Sequence, residues 1–149
     1  MLEKHQKLLA DAVKQLVESK KIAKDYHKKF KAKDKEKYKF EIVSSEDIMK
    51  KIDTLLNMYL GKVDKRQGIV RSPEVNINQR LGTASWYINS RFGNQTSTEN
   101  RLIGQFKIAL KEALEKTNTF FNKDWVSYKE EVSKVTISPF KEIKVFKID

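Results

Sequence analysis

The first sixty residues contain neither glycine nor proline, and apolar side chains return along them at intervals of three and four. A chain that runs so far without a breaker at that spacing is committed to helix, because a 3.6-residue period lines those side chains on one face. Leu9, Val13, Leu16, Ala23, Tyr26 and Phe30 mark such a stripe over about residues 2–33. Asp11, Lys14, Glu18, Lys21, Asp25 and Lys28 fall mostly on the other faces. Their spacings of three and four give ion pairs worth about 0.2–0.5 kcal/mol each.

The stripe lapses in KAKDKEKYK, residues 31–39. Asp34 can accept there from freed backbone amides, as an N-cap does. A second helix is expected over about 35–60, carried by Phe40, Val43, Ile48, Ile52, Leu55, Leu56 and Tyr59. The polar gap at Ser44–Asp47 leaves open whether it runs unbroken. Gly61 is placed to close it in a left-handed cap.

Residues 59–92 differ in kind. They hold three of the five glycines, one of the two prolines, four of the five arginines and one of the two tryptophans. Gly61 and Gly68 frame a loop over 61–71, and Ser72-Pro73-Glu74 reads as a helix start. The third helix is expected over about 73–91, with Ile77, Leu81, Ala84 and Ile88 inward. After a turn at Phe92–Gln95, Thr96 and Glu99 have the spacing of a capping box. That box opens a fourth helix over about 97–134, with Leu102, Phe106, Leu110, Ala113, Thr117, Phe120, Phe121, Tyr128 and Val132 on its stripe. Asn94-Gln95-Thr96 also fits a glycosylation sequon, but capping accounts for Thr96 more simply. Ser138-Pro139 ends the pattern, and the tail 135–149 alternates apolar and charged residues, as a short strand or an extended strap does. The expected fold is all-α: one domain over 1–149, an elongated antiparallel up-and-down four-helix bundle with a long loop between helices 2 and 3.

The residue types of a reaction centre are sparse. The absence of cysteine removes disulfides, thiolate metal sites and cysteine nucleophiles. His5 and His27 are far apart and belong to no metal-ligand spacing. Glu130 and Glu131 are adjacent and point in different helix directions, unlike two carboxylates that flank one glycosidic bond. No nucleotide-binding or nucleophile-elbow motif is present. The expectation is a chain with no metal, no cofactor and no catalysis of its own. The alternative of a sugar-processing hydrolase would need an active site outside this chain.

The net charge of +11 is uneven, with +7 of it in residues 1–40. That arm could serve nucleic acid or another anion, yet 26 lysines stand against 5 arginines. Arginine's planar fork carries most specific phosphate and base readout, so nucleic acid is the weaker reading and a solvated lysine face the stronger. No apolar run approaches the ~18–20 residues of a membrane span, and residues 1–17 lack the apolar segment of a signal peptide. The best interaction candidates are Asp64, Lys65, Arg66 and Gln67 with Arg71, Arg80 and Arg91. They either dock a partner or tie the loop to the helix ends by charge-assisted hydrogen bonds. Trp86-Tyr87, Trp125 and Phe120-Phe121 read as core or bundle-edge packing.

Four stretches, YLGKVDKRQGI (59–69), RLGTASWYINSRFGNQTSTE (80–99), NTFFNKDWVSY (118–128) and SPFKEIKVFK (138–147), together resemble the C-terminal helical region of a bacterial family. These are exported, sortilin-like β-propeller proteins of BNR repeats, common in Bacteroidetes-type bacteria and often labelled glycosyl hydrolases. The resemblance implies a fragment of a longer protein in the periplasm, at the cell surface or outside the cell. It implies that the partner is the propeller domain of the parent, or another protein. No catalytic motif of the family falls on this chain, so none is carried over.

Overall fold

The structure, a computed structural model, describes residues 2–62 and 75–135. They form a helical bundle: α1 (Leu2–Lys33), α2 (Lys39–Leu60), α3 (Ile77–Asn89), α4 (Ser97–Phe120), a π-helical turn (Phe121–Trp125) and α5 (Val126–Ser133). Among the described residues there is no strand, and no helix is long and apolar enough to cross a membrane. Residues 63–71 of the loop expected over 61–71, the expected helix start at Ser72-Pro73-Glu74 and the tail beyond Val135 lie outside the described residues.

α1, about 48 Å long at 1.5 Å per residue, buries Leu9, Ala12, Leu16, Ser19, Ala23 and Phe30. Val13 and Tyr26 pack against the edge of that core. The stripe meets α2, and three contacts fix how they run: Lys20 to Asp53 at 2.6 Å, His27 to Glu46 at 2.9 Å, and Phe30 against Tyr38 at 5.3 Å between ring centroids. Asp34 does accept from the amides of Glu36 and Lys37, at 3.0 and 3.1 Å. It organises a turn, however, and regular helix begins at Lys39 rather than 35.

α2 is unbroken through Ser44–Asp47, but its inward face is not the one expected at its start. Phe40 and Val43 are exposed; Ile42 and Ser45 are buried in their place. Ser45 holds the register with a hydroxyl that donates to the Glu41 carbonyl at 2.9 Å. Because that proton is used, the Tyr128 hydroxyl, 2.8 Å away, is the donor to Ser45 Oγ. The same device recurs one layer along: Thr117 Oγ1 donates to Ala113 O at 2.8 Å, so Tyr59, 2.8 Å away, donates to Thr117. Both tyrosine rings are buried. Burial pushes both phenols above their ordinary pKa, and the neighbouring hydroxyl offsets this only in part.

α2 ends at Gly61, whose amide bonds to Asn57 O at 2.9 Å. Its φ of 80° is positive as expected, but ψ of 168° makes it an extended glycine conformation rather than a left-handed helical cap. A Cβ there would stand 2.6 Å from Asn76 Nδ2. Asn76 is the N-cap of α3, in a reciprocal box with Gln79: Asn76 Oδ1 accepts from Gln79 N at 2.9 Å, and Gln79 Oε1 from Asn76 N at 3.2 Å. The end of α2 and the start of α3 therefore touch through their caps. α3 packs on α4. The Thr96–Glu99 box opens α4 as the spacing requires, with Thr96 N donating to Glu99 Oε2 at 2.7 Å.

The fourth helix carries a feature the stripe did not announce. A π turn at Phe121–Trp125 takes up one residue more than an α turn. Phe120, Tyr128 and Val132 are all buried, while Phe121 and Trp125 pack at the core's edge, their ring centroids 6.2 Å apart.

Candidate functional site

Of the residues expected to dock a partner, Asp64, Lys65, Arg66, Gln67 and Arg71 lie outside the described residues. Gly61 and Asn76, which bracket the segment they belong to, sit side by side. Arg80 is half-buried in the first turns of α3, and Arg91 is exposed just beyond its end. The structure thus puts the two described arginines of that set on one short helix and its exit.

That helix also carries the Trp86-Tyr87 pair, expected as core or bundle-edge packing. Trp86 is 65% exposed, Tyr87 37% and Phe92 fully exposed, so Trp86 and Tyr87 are surface residues and not core. The reason is register: Ile77, Leu81, Ala84 and Ile88 lie on the covered side of α3, and Trp86, two residues from both Ala84 and Ile88, falls on the opposite side. The signal was in the spacing; the size of the side chain argued against it. Trp86 and Tyr87 meet edge to face, 5.0 Å between centroids. The end of the helix is held by Ser90, which donates its amide to Trp86 O at 3.0 Å and its hydroxyl to Tyr87 O at 3.2 Å. Trp125 is half-buried against Tyr128 and Phe120, so its packing assignment stands.

Two concavities lie elsewhere. One, of about 370 Å³, is where the start of α1 meets α3 and α4; Glu3, Gln6, Asn89 and Gln95 surround apolar Ile88 and Ile103. Ser85 Oγ opens on it, buried and without a hydrogen-bond partner among the described residues. A serine with no base beside it is not an activated nucleophile. The other is a shallower groove of about 520 Å³ between α2 and α4, floored by Leu55 and Phe120. Its charges alternate, and Lys51 and Asp124 pair across it at 2.9 Å. Among the described residues no group of three or more His, Cys, Asp or Glu is placed to hold a metal ion.

The histidines have structural surroundings. His5 lies edge-on to Phe106, 6.4 Å between centroids. His27 contacts Glu46, and that hydrogen bond holds the Glu46 carboxyl below its ordinary pKa. No protein-family model matches this chain, and no curated protein or solved structure matches it either.

Proposed function

We propose that this chain is a non-catalytic helical interaction module whose docking edge is α3 and the turn that follows it. The observation that carries this is the exposure of Trp86, Tyr87 and Phe92 beside Arg91 on a helix whose core contacts are complete without them. Energetically dominant interface residues are most often Trp, Tyr and Arg, because each combines a large desolvated area with a polar handle. Arg66 and Arg71 belong to the segment that leads into this helix and extend the candidate set.

The three long helices that present the edge, α1, α2 and α4, are read as elongated and alternating in direction, not as the expected up-and-down order of four, in which α2 and α4 would run parallel. Along α2, Ser45, Lys51 and Tyr59 meet Tyr128, Asp124 and Thr117 in turn, and α1 meets α2 with the same reversal. This supports long helices alternating in direction. The partner, on the resemblance of residues 59–128, is the β-propeller domain of an exported bacterial parent protein. That assignment of partner and location rests on the resemblance.

The test is capture of such a propeller domain by this chain across a salt titration. Saturable binding that survives ~150 mM salt, where exposed charges beyond about 8 Å are screened, is the expected result. Trp86→Ala with Arg91→Ala should weaken it at least tenfold with an unchanged helical circular dichroism spectrum. Binding unaffected by those changes removes the edge, and no capture removes the propeller as partner.

A further inference from the structure

We infer that the α1–α2 end of the molecule is a docking surface for an anionic lipid bilayer. Residues 24–39 hold eight lysines against three acids, whereas residues 3–21 hold five against three. In the earlier stretch Lys20 is paired with Asp53, and Lys7, Asp11, Lys14, Glu18 and Lys21 alternate in sign at helical spacing. At the α1–α2 end Glu46 of α2 answers His27 and lies near Lys31, and the surplus of lysine is concentrated in the last turns of α1 and the turn that follows. Every lysine from Lys28 to Lys39 is exposed, and Asp34 is turned onto the amides of Glu36 and Lys37.

Local structure accounts for part of this. Lys31 and Lys33 sit in the last turn of α1, where a cation is favoured by the helix dipole. Lys29 and Lys37 lie over the rings of Tyr26 and Tyr38, at 5.5 and 5.4 Å. A helix end is served by one or two cations, however, and these contacts leave the ammonium groups at the surface.

A second observation is independent of charge. Phe40 is 66% and Val43 48% exposed. With Lys39 they share one face of α2, at spacings of three and four. Lysines beside an exposed aromatic and an exposed aliphatic side chain form the pattern that settles at a lipid headgroup boundary, apolar groups inserted and cations on the phosphates. The composition separates this from nucleic-acid binding. No arginine precedes Arg66, so the bidentate fork of base and phosphate readout is missing, while point charges suit a diffuse anionic surface.

The experiment is co-sedimentation of the full chain with vesicles of phosphatidylcholine alone or with about 30% phosphatidylserine, at about 50 mM and about 500 mM salt. Binding only to the anionic vesicles, and only at low salt, is expected. Changing Lys28, Lys31, Lys35 and Lys39 to Gln should lower partitioning by at least about 100-fold, since each lysine near such a surface contributes severalfold. Changing Lys4, Lys7, Lys14 and Lys21 to Gln removes the same charge elsewhere and should change it less than about tenfold. Phe40→Ser should cost severalfold with helix content unchanged, and it decides the matter if the quadruple change at the tip does not fold. Equal loss from both lysine sets, equal binding to neutral vesicles, wild-type binding by Phe40→Ser, or tighter binding to duplex DNA than to vesicles at the same salt would each overturn the inference.

Discussion

The two short helix connections of this bundle solve the same problem with opposite surfaces. At the α1–α2 corner three aromatics go inward and Phe40 alone stays out: Phe30 is fully buried, Tyr26 stacks on it at 6.1 Å and Tyr38 tilts against it at 5.3 Å. What remains outside there is mostly charge. At the α3–α4 corner the closure is made by polar groups, Ser90 on the last carbonyls of α3 and the Thr96–Glu99 box on the first amides of α4. The aromatics Trp86, Tyr87 and Phe92 stay outside. An aromatic that the fold needs is covered by the fold. One that is left in water at a corner already closed by hydrogen bonds is available for something else.

Substitution at the two corners should separate these roles. The largest effect is expected for Phe30→Ala. It empties a fully buried site and strips Tyr26 and Tyr38 of their neighbour, at a cost of about 3–5 kcal/mol in chemical denaturation. A cost under about 1 kcal/mol would mean that the α1–α2 corner is not held by its aromatics.

Next is Gly61→Ala, which tests the cap-to-cap contact between α2 and α3. The position has φ of 80° and ψ of 168°, a region open essentially to glycine alone, and the new Cβ would meet Asn76 Nδ2 at 2.6 Å. About 1–3 kcal/mol is expected. Asn76→Ala in the same background should then cost less than its usual ~1 kcal/mol as an N-cap, because the amide would already have been displaced.

The buried hydroxyl pairs predict a smaller effect and an alkaline one. Tyr59 and Tyr128 have folded-state pKa values raised by burial. A raised value means that the stabilisation is complete below the unfolded tyrosine pKa of about 10 and is lost as pH climbs from there through the folded value. The melting temperature should fall above about pH 10, and a Tyr59→Phe, Tyr128→Phe double variant should show a shallower fall. At neutral pH each Tyr→Phe change should cost about 0.5–1.5 kcal/mol, the net worth of one hydrogen bond. The reverse sign applies to Glu46. Its pKa is lowered by His27, so its contribution is present above about pH 4.5 and is lost as acid titrates the carboxylate.

How much of this was legible before the structure depends on what each position had to say locally. The α1 stripe and the Thr96–Glu99 box were readable, because periodicity and capping are local rules. The start of the α2 face was misread at Phe40 and Val43. The inward register there passes through Ser45, which is buried and meets Tyr128, far along the chain. No local rule marks a serine as core. Regular α3 begins at Ile77, opened by an Asn76–Gln79 box whose spacing is also a local signal; the proline signal at Ser72-Pro73 lies outside the described residues. The π turn depends on where Phe120 and Tyr128 must both land, a condition imposed by α2 rather than by the residues between them. At the candidate site, Arg80 lies on α3 and Arg91 two residues past its end. For Trp86, expected as core or bundle-edge packing, the spacing sets the ring outside the inward face, and the core half of that expectation fails.

The smallest expected change in stability is therefore the most informative for function. Trp86→Ala removes the largest side chain on α3, and a tryptophan deleted from a core costs about 3–5 kcal/mol. Here the ring is mostly in water, its edge contact is with Tyr87 alone among the ring contacts, and the stripe on the covered side of α3 does not include it. Exposed substitutions away from caps and charges fall within about 0.5 kcal/mol, and Trp86→Ala should too, in the same denaturation assay as Phe30→Ala. A small loss coupled to a tenfold or greater loss of partner binding would place the aromatic edge in recognition. A loss near the core value would mean that Trp86 is covered in solution and belongs to the fold after all, and the contrast between the two corners would then collapse.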